Sequence, residues 1–243
     1  GQDMKVTLPR LRHGLAAGEK LSDTIRQHWQ DATRTPVYEA YGMSECSTFI
    51  SGSPDHPAAP GTLGQLQQGR RVAILRSGGP VSTGEEGTIA VHKSDPGLML
   101  GYLGAPEATA AKFSGNWFLT GDQGAMDADG QITYMGRADD MMNAGGFRVS
   151  PLEVEAALSP HPGITQVAVT DIEVKEDARV IMAFYTGPEP LDPAALDAFA
   201  RERLAGYKAP RGYIHVETLP TGANGKLLRR ALRPIYEDLH GQA

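Results

Sequence analysis

Leu21, Ile25 and Trp29 recur every four residues in "KLSDTIRQHWQDAT", which predicts an amphipathic helix over residues 20–33. "TPVYEAYGMSE" reads as a short buried strand running into a turn, and the Gly- and Pro-punctuated "SGSPDHPAAPGTLG" as loop. "RRVAILR" and "GTIAVHK" alternate as strands do, joined by the turn-rich "SGGPVSTGEE". Pro106 fits the first position of a short helix ending near Phe113. "WFLTGD" predicts a strand ending in a polar turn. "QGAMDADGQITYMG" predicts a hairpin turning at Asp129-Gly130. Residues 35–136 are therefore strand-dominated.

The texture changes after Arg137. Ser150-Pro151-Leu152-Glu153 has the spacing of a capping box with proline at the first helical position, opening a helix through about Leu158. "GITQVAVTDIEV", "DARVIMAFYTG" and "RGYIHVETL" predict strands. Asp192-Pro193 opens a helix with Leu196, Phe199, Ala200 and Leu204 on one face. "GKLLRRALRPIYEDL" predicts a terminal helix interrupted or kinked at Pro234. The fold class is α+β. A β-rich part over 1–136 is followed by a boundary at Arg137–Asp140 and a small α+β domain over 141–243, a normal domain size.

Composition narrows the function classes. The chain has 243 residues with a net charge of −6, and no lysine/arginine cluster marks a nucleic-acid footprint. No apolar run approaches the roughly 20 residues that span a bilayer. The single cysteine, Cys46, can make neither an internal disulfide nor a CxxC metal clip, which points to a reducing, cytoplasmic setting. The chain does not begin with Met, and Gly1 is read as a cloning scar or as the start of a piece cut from something longer.

Generic catalytic patterns such as GxGxxG, GxxxxGK[ST], HExxH and GxSxG are absent from the sequence. What remains are polar turns at strand ends. In "YGMSE", Tyr41 offers an aromatic face, Gly42 allows close backbone approach, Ser44 brings a hydroxyl for phosphate and Glu45 a carboxylate for Mg²⁺. In "LTGD", Asp122 stands where an acid can accept hydrogen bonds from ribose hydroxyls. Arg137 could reach a phosphate or ribose. Lys226, on the Gly-flanked loop of "PTGANGKLLR", suits a lysine delivered into a site at one step. Taken singly, each reads more simply as a plain turn, a cap, a surface ion pair or a solvated lysine.

Taken in series, "AAGEKL", "YGMSE", "LTGD", "GRADD", "GGFRVSPLEVE" and "PTGANGK" have the order and spacing of the AMP-forming adenylating enzymes. The chain resembles the C-terminal half of an acyl-CoA synthetase of that superfamily, over about residues 10–235. "AAGEKL" together with "GGFRVSPLEVEAAL" is most similar to the benzoate-CoA ligase and medium-chain branch.

The resemblance implies ATP/AMP, Mg²⁺ and coenzyme A as ligands and a small carboxylic acid as substrate. Gly18, Glu19 and Lys20 would lie along one face of the adenine and Tyr41 on the other. Gly42, Met43 and Ser44 would sit beneath the ribose-phosphate, and Glu45 would hold Mg²⁺. Asp122 would bind the ribose, with Arg137 close by. Lys226 would balance charge at the α-phosphate. Gly145 and Gly146 would line the pantetheine tunnel. "GRADD" would be a hinge pivoting at Asp139, so that one mobile C-terminal domain serves two half-reactions. A metal site is the weaker reading of its two acids.

Three departures from the family pattern matter. The Ser/Thr/Gly-rich phosphate loop is missing; it belongs to a part of the adenylating domain expected to precede residue 1, so the chain alone is expected not to activate an acid. Asn143 stands where the family often has lysine, and Ser44 replaces threonine. Two rival functions are an adenylation domain loading a carrier protein and a non-catalytic remnant binding nucleotide or a partner.

Overall fold

The computed structural model describes residues 8–18, 21, 23–77, 79–144, 146–175, 178–223 and 225–240. The chain forms two compact units that divide between Tyr134 and Met135, just ahead of "GRADD". Its mixed sheets and helices make it α+β.

The first unit holds two sheets, and the last strand of the second sheet runs on past the unit's boundary at Tyr134. β1 (Gly14–Ala17), β2 (Val37–Met43), β3 (Ser47–Ser51) and β4 (Gln65–Leu66) are neighbours in that order, with β1 parallel to β2. The second sheet contains β5 (Val72–Arg76), β6 (Gly79–Pro80), β7 (Glu86–His92), β8 (Phe113–Ser114), β9 (Trp117–Met126) and β10 (Ile132–Arg137). Its order is β10-β9-β7-β5-β6, and β8 pairs with β9. Phe49 and Ile50 of β3 share one core with Ile74, Ile89, Val91, Phe118 and Ile132 of the second sheet. Tyr41 and Met43, at the end of β2, pack against that shared core.

Local details depart from the periodicity in this unit. Helix α1 (Asp23–Thr33) forms, but Ile25 is 58% exposed, so the expected stripe is only partly buried. Helix α2 (Pro106–Ala110) starts at Pro106 but stops early, because Phe113 enters β8 and packs edge-on against Phe118. The β9–β10 hairpin turns over 127–131, where Asp127 Oδ1 accepts from the N–H of Asp129 and of Gln131, both at 2.9 Å.

In the second unit, β11 (Met142–Ala144) and β12 (Phe147–Val149) form a hairpin. β13 (Gln166–Lys175), β14 (Ala178–Thr186) and β15 (Gly212–His215) form a sheet in that order. β14 is apolar without alternation because both faces are covered. Ile181 and Ala183 pack with Val154 and Leu158 of α3 (Pro151–Leu158) and Ala200 of α4 (Pro193–Arg201). Met182 and Phe184 pack with Leu232 of α5 (Leu232–His240). Asp192 caps α4, accepting from Ala194 N at 3.1 Å.

The capping box is only half made. Ser150 Oγ accepts from Glu153 N at 3.4 Å and donates to Met135 O at 2.6 Å, while the Glu153 carboxylate pairs with Lys208 at 2.6 Å. The expected kink at Pro234 is also corrected. A 3₁₀ turn over Arg229–Ala231 precedes α5, and Pro234 falls in its first turn, where a missing N–H removes no intrahelical bond.

Candidate active site

In the first unit the chemistry gathers at the end of β2. The β2–β3 register shifts between Tyr41 and Gly42. A Cβ on Gly42 would lie 2.3 Å from Ser47 O and 2.5 Å from Thr48 Cα, so only glycine fits there. The chain then turns through Ser44, Glu45 and Cys46, closed by Cys46 N donating to Met43 O at 3.0 Å. Ser44 is exposed, Glu45 is half-buried, and Met43 packs against the core. Glu45 is held twice: its carbonyl accepts from Met99 N at 2.6 Å, and its Oε1 from the Tyr102 hydroxyl at 2.8 Å. That carboxylate pushes the Tyr102 phenol above its ordinary pKa.

Asp122 corrects an expectation. It lies inside β9 and not in a turn past a strand end. The β7–β9 register passes from Ala90↔Leu119 to Thr88↔Gln123, which leaves Thr120, Gly121 and Asp122 opposite Ile89. Gly121, at φ +83°, makes this bulge possible. Thr120 Oγ1 donates to Ile89 O at 2.7 Å and accepts from Asp122 N at 3.1 Å. Asp122, 6% exposed, is thereby aimed at two tyrosines. Tyr41 OH donates to its Oδ2, and Tyr134 OH to its Oδ1 at 3.2 Å. The Tyr41 ring lies 5.5 Å from that of Tyr134 and 5.2 Å from that of Phe49. Burial first, and then the Asp122 charge, drive the Tyr41 phenol well above the usual tyrosine range.

Tyr134 and Tyr102 escaped the sequence reading. The hairpin at Asp129-Gly130 was the available signal for Tyr134, since it folds β10 back onto the Asp122 strand. Tyr102, 57 residues from Glu45, had no local signal.

The second unit carries Lys226. Its loop is closed by Gly222 N donating to Lys226 O and Leu228 N to Pro220 O, both at 2.8 Å, and Gly225 takes φ +81°. Lys226 is exposed at its end. Buried Arg229 anchors the loop. It pairs with the Glu155 carboxylate through Nη1 and, at 3.2 Å, Nη2, and donates to Val169 O at 2.5 Å. Burial raises the Glu155 pKa against the pull of Arg229. The Arg229 Nε lies 3.9 Å from Asp140 Oδ2. Arg137 pairs with exposed Asp139 at 3.3 Å. Gly146, at φ +85°, leads into β12. Glu19, Lys20 and Gly145 lie outside the described residues; Gly18, at φ +103°, has open space around it.

Among the described residues no group of three or more His, Cys, Asp or Glu could hold a metal. Glu45 is instead one hard oxygen donor, half-buried. That suits Mg²⁺, which keeps several waters and binds through one or two carboxylates plus substrate phosphates.

The chain belongs to the AMP-binding enzyme family. Residues 2–103 match the model of the AMP-binding enzymes, and residues 153–226 match that of the AMP-binding enzyme C-terminal domain. The 2-succinylbenzoate–CoA ligase of Geobacillus kaustophilus is 40% identical over 205 residues, which are 82% of this chain and 41% of that one. Among solved structures, the anthranilate CoA ligase AuaEII in complex with anthranoyl-AMP superposes with a TM-score of 0.80 at 32% identity, over 94% of this chain and 45% of that one. The O-succinylbenzoate coenzyme A synthetase MenE of Bacillus subtilis, in complex with ATP and magnesium ion, gives 0.79 at 28% identity, over 94% and 49%. The chain thus spans less than half the length of each of these proteins. No helix among the described residues is long and apolar enough to cross a membrane.

Proposed function

We propose that this chain is the C-terminal part of an AMP-forming acyl-CoA ligase. A carboxylate attacks the α-phosphate of ATP, forming an acyl-adenylate and releasing pyrophosphate. The CoA thiol then attacks the acyl carbon, loses its proton and releases AMP. The observation that carries this reading is Asp122, buried in β9 with Tyr41 and Tyr134 bonded to its two oxygens, in a chain whose relatives are CoA ligases. A carboxylate has about four lone-pair sites, so Asp122 can accept ribose hydroxyls beside its phenols.

Tyr41, braced by Phe49 and Tyr134, is the stacking surface for adenine, with Gly18–Lys20 across from it. Gly42, Met43 and Ser44 run beneath the ribose-phosphate, and Arg137 serves the ribose. Glu45 would hold Mg²⁺, which would supply positive charge against the nucleotide's phosphates. Lys226 neutralises charge building on the α-phosphate and the attacking carboxylate. Gly145–Gly146 flank the path of the pantetheine arm. Arg137–Asp140, with Asp139 as pivot, is the hinge between an adenylating part ending at 136 and a mobile domain over 141–243. The buried, lone Cys46 supports a reducing, cytoplasmic location.

The test is pyrophosphate–ATP exchange by the full-length protein across a panel of aryl and medium-chain acids. Exchange that depends on one of the acids supports the reading. Exchange with none overturns it.

A further inference from the structure

Arg70 lies just ahead of β5, and its side chain is 10% exposed. Its Nη1 donates to Thr48 O at 2.5 Å and its Nη2 to Cys46 O at 2.7 Å. These two carbonyls flank Ser47, whose φ of +58° is a left-handed backbone that a residue with a Cβ seldom adopts. One guanidinium therefore braces the turn on both sides of its most constrained residue.

Asp95 fixes that guanidinium. Arg70 Nε donates to its two oxygens at 3.0 and 3.2 Å. The same carboxylate accepts from Arg71 N at 2.6 Å and Gly97 N at 2.8 Å. The segment rooted on Asp95 then returns to Glu45, with Met99 N on its carbonyl and Tyr102 OH on its Oε1. Glu45 is thus gripped by a turn rooted on Arg70 and by a segment rooted on Asp95. There is no slack: a Cβ on Gly97 would sit 2.6 Å from Arg70 Nη2.

We propose that Arg70, clamped by Asp95, is a positioning residue for Glu45, setting the approach of its carboxylate to the divalent cation borne on the nucleotide phosphates. This rests on the reading of Glu45 given above. Stability alone does not account for the arrangement, since a buried ion pair can often be replaced by apolar residues at no cost. A planar fork reaching two carbonyls and a carboxylate at once is a geometric device that lysine, a point charge on a flexible stem, does not reproduce.

The test uses the full-length protein and two variants. Arg70→Lys keeps the charge and loses the fork. Gly97→Ala keeps every charge and drives a methyl group into Nη2. Thermal melting reports the fold. Electron paramagnetic resonance of Mn²⁺, with a non-hydrolysable ATP analogue present, reports cation binding without turnover. The Mg²⁺ dependence of pyrophosphate exchange gives the catalytic counterpart.

The expected result is a folded variant whose half-saturating cation concentration rises about tenfold, the scale for losing an outer-shell partner. Exchange should recover as Mg²⁺ saturates. Folded variants with the parent's cation affinity overturn the proposal, as does an equal loss at every Mg²⁺ concentration. If Arg70→Lys does not fold, Gly97→Ala decides; if neither folds, the pair is structural and the positioning role is wrong. A parent that exchanges with no acid sinks the ligase reading, while the Mn²⁺ measurement still decides this one.

Discussion

The hydroxyl of Tyr41 donates to the carboxylate of Asp122, joining residues 81 apart in the sequence. The bond ties the end of β2 to the bulge in β9, and so one sheet of the first unit to the other. It is also a hydrogen bond to a charged group, the stronger kind. Tyr41→Phe should lower stability by about 1.5–3 kcal/mol. Tyr134→Phe should cost less, since its bond is longer at 3.2 Å. Urea unfolding of the two variants checks the order. Equal, negligible losses would show that the phenols do not hold Asp122.

Cys46 is fully buried, and burial, followed by the Glu45 charge, pushes its thiol from 9.0 up to about 12. The thiolate is the nucleophile, so the folded protein should resist iodoacetamide at pH 8 and react once unfolded. Above pH 9 the unfolded chain loses this proton first, so the thiol's contribution is intact below pH 9 and lost as pH rises towards 12. Cys46→Ala should flatten that part of the stability curve. Rapid alkylation of the folded protein would contradict the burial.

Lys226 acts, on the proposed reading, only while charge builds at the α-phosphate. Lys226→Ala in the full-length protein should slow adenylation by ~10²-fold or more, the scale for removing one preorganised donor. Thioester formation from supplied acyl-adenylate should change little. Equal damage to both steps would point to the loop's fold instead, which Arg229 and Glu155 anchor.

Asp139→Pro tests the hinge. Proline fixes φ near −65° and restricts Ala138 before it. The Asp139 side chain is 75% exposed and its pair with Arg137 is a surface one, so the fold should survive. One half-reaction should stay near normal while the other slows strongly. Parent-like rates in both, from protein with an unchanged circular dichroism spectrum, would remove Asp139 as pivot.

The sequence made the strands and helix starts legible because proline, glycine and capping residues act locally. Pro106 and Asp192-Pro193 open helices as read. It missed what depends on register. Asp122 reads as a turn acid because nothing local to "LTGD" announces that β9 continues through a bulge opposite Ile89. Tyr134, Tyr102 and Arg70 reach their partners across 12, 57 and 25 residues, and periodicity carries no record of such meetings. Ile25 shows the reverse failure, a periodic apolar position left in solvent.

On the proposed reading, the full-length protein joins a carboxylate to AMP. The most direct measurement is oxygen transfer from an ¹⁸O-labelled carboxylic acid that the exchange panel identifies. Attack of the carboxylate on the α-phosphate carries one labelled oxygen into AMP once CoA has displaced it. The predicted result is a single ¹⁸O in AMP and none in pyrophosphate. Label in phosphate or pyrophosphate, or unlabelled AMP alongside thioester product, would contradict it.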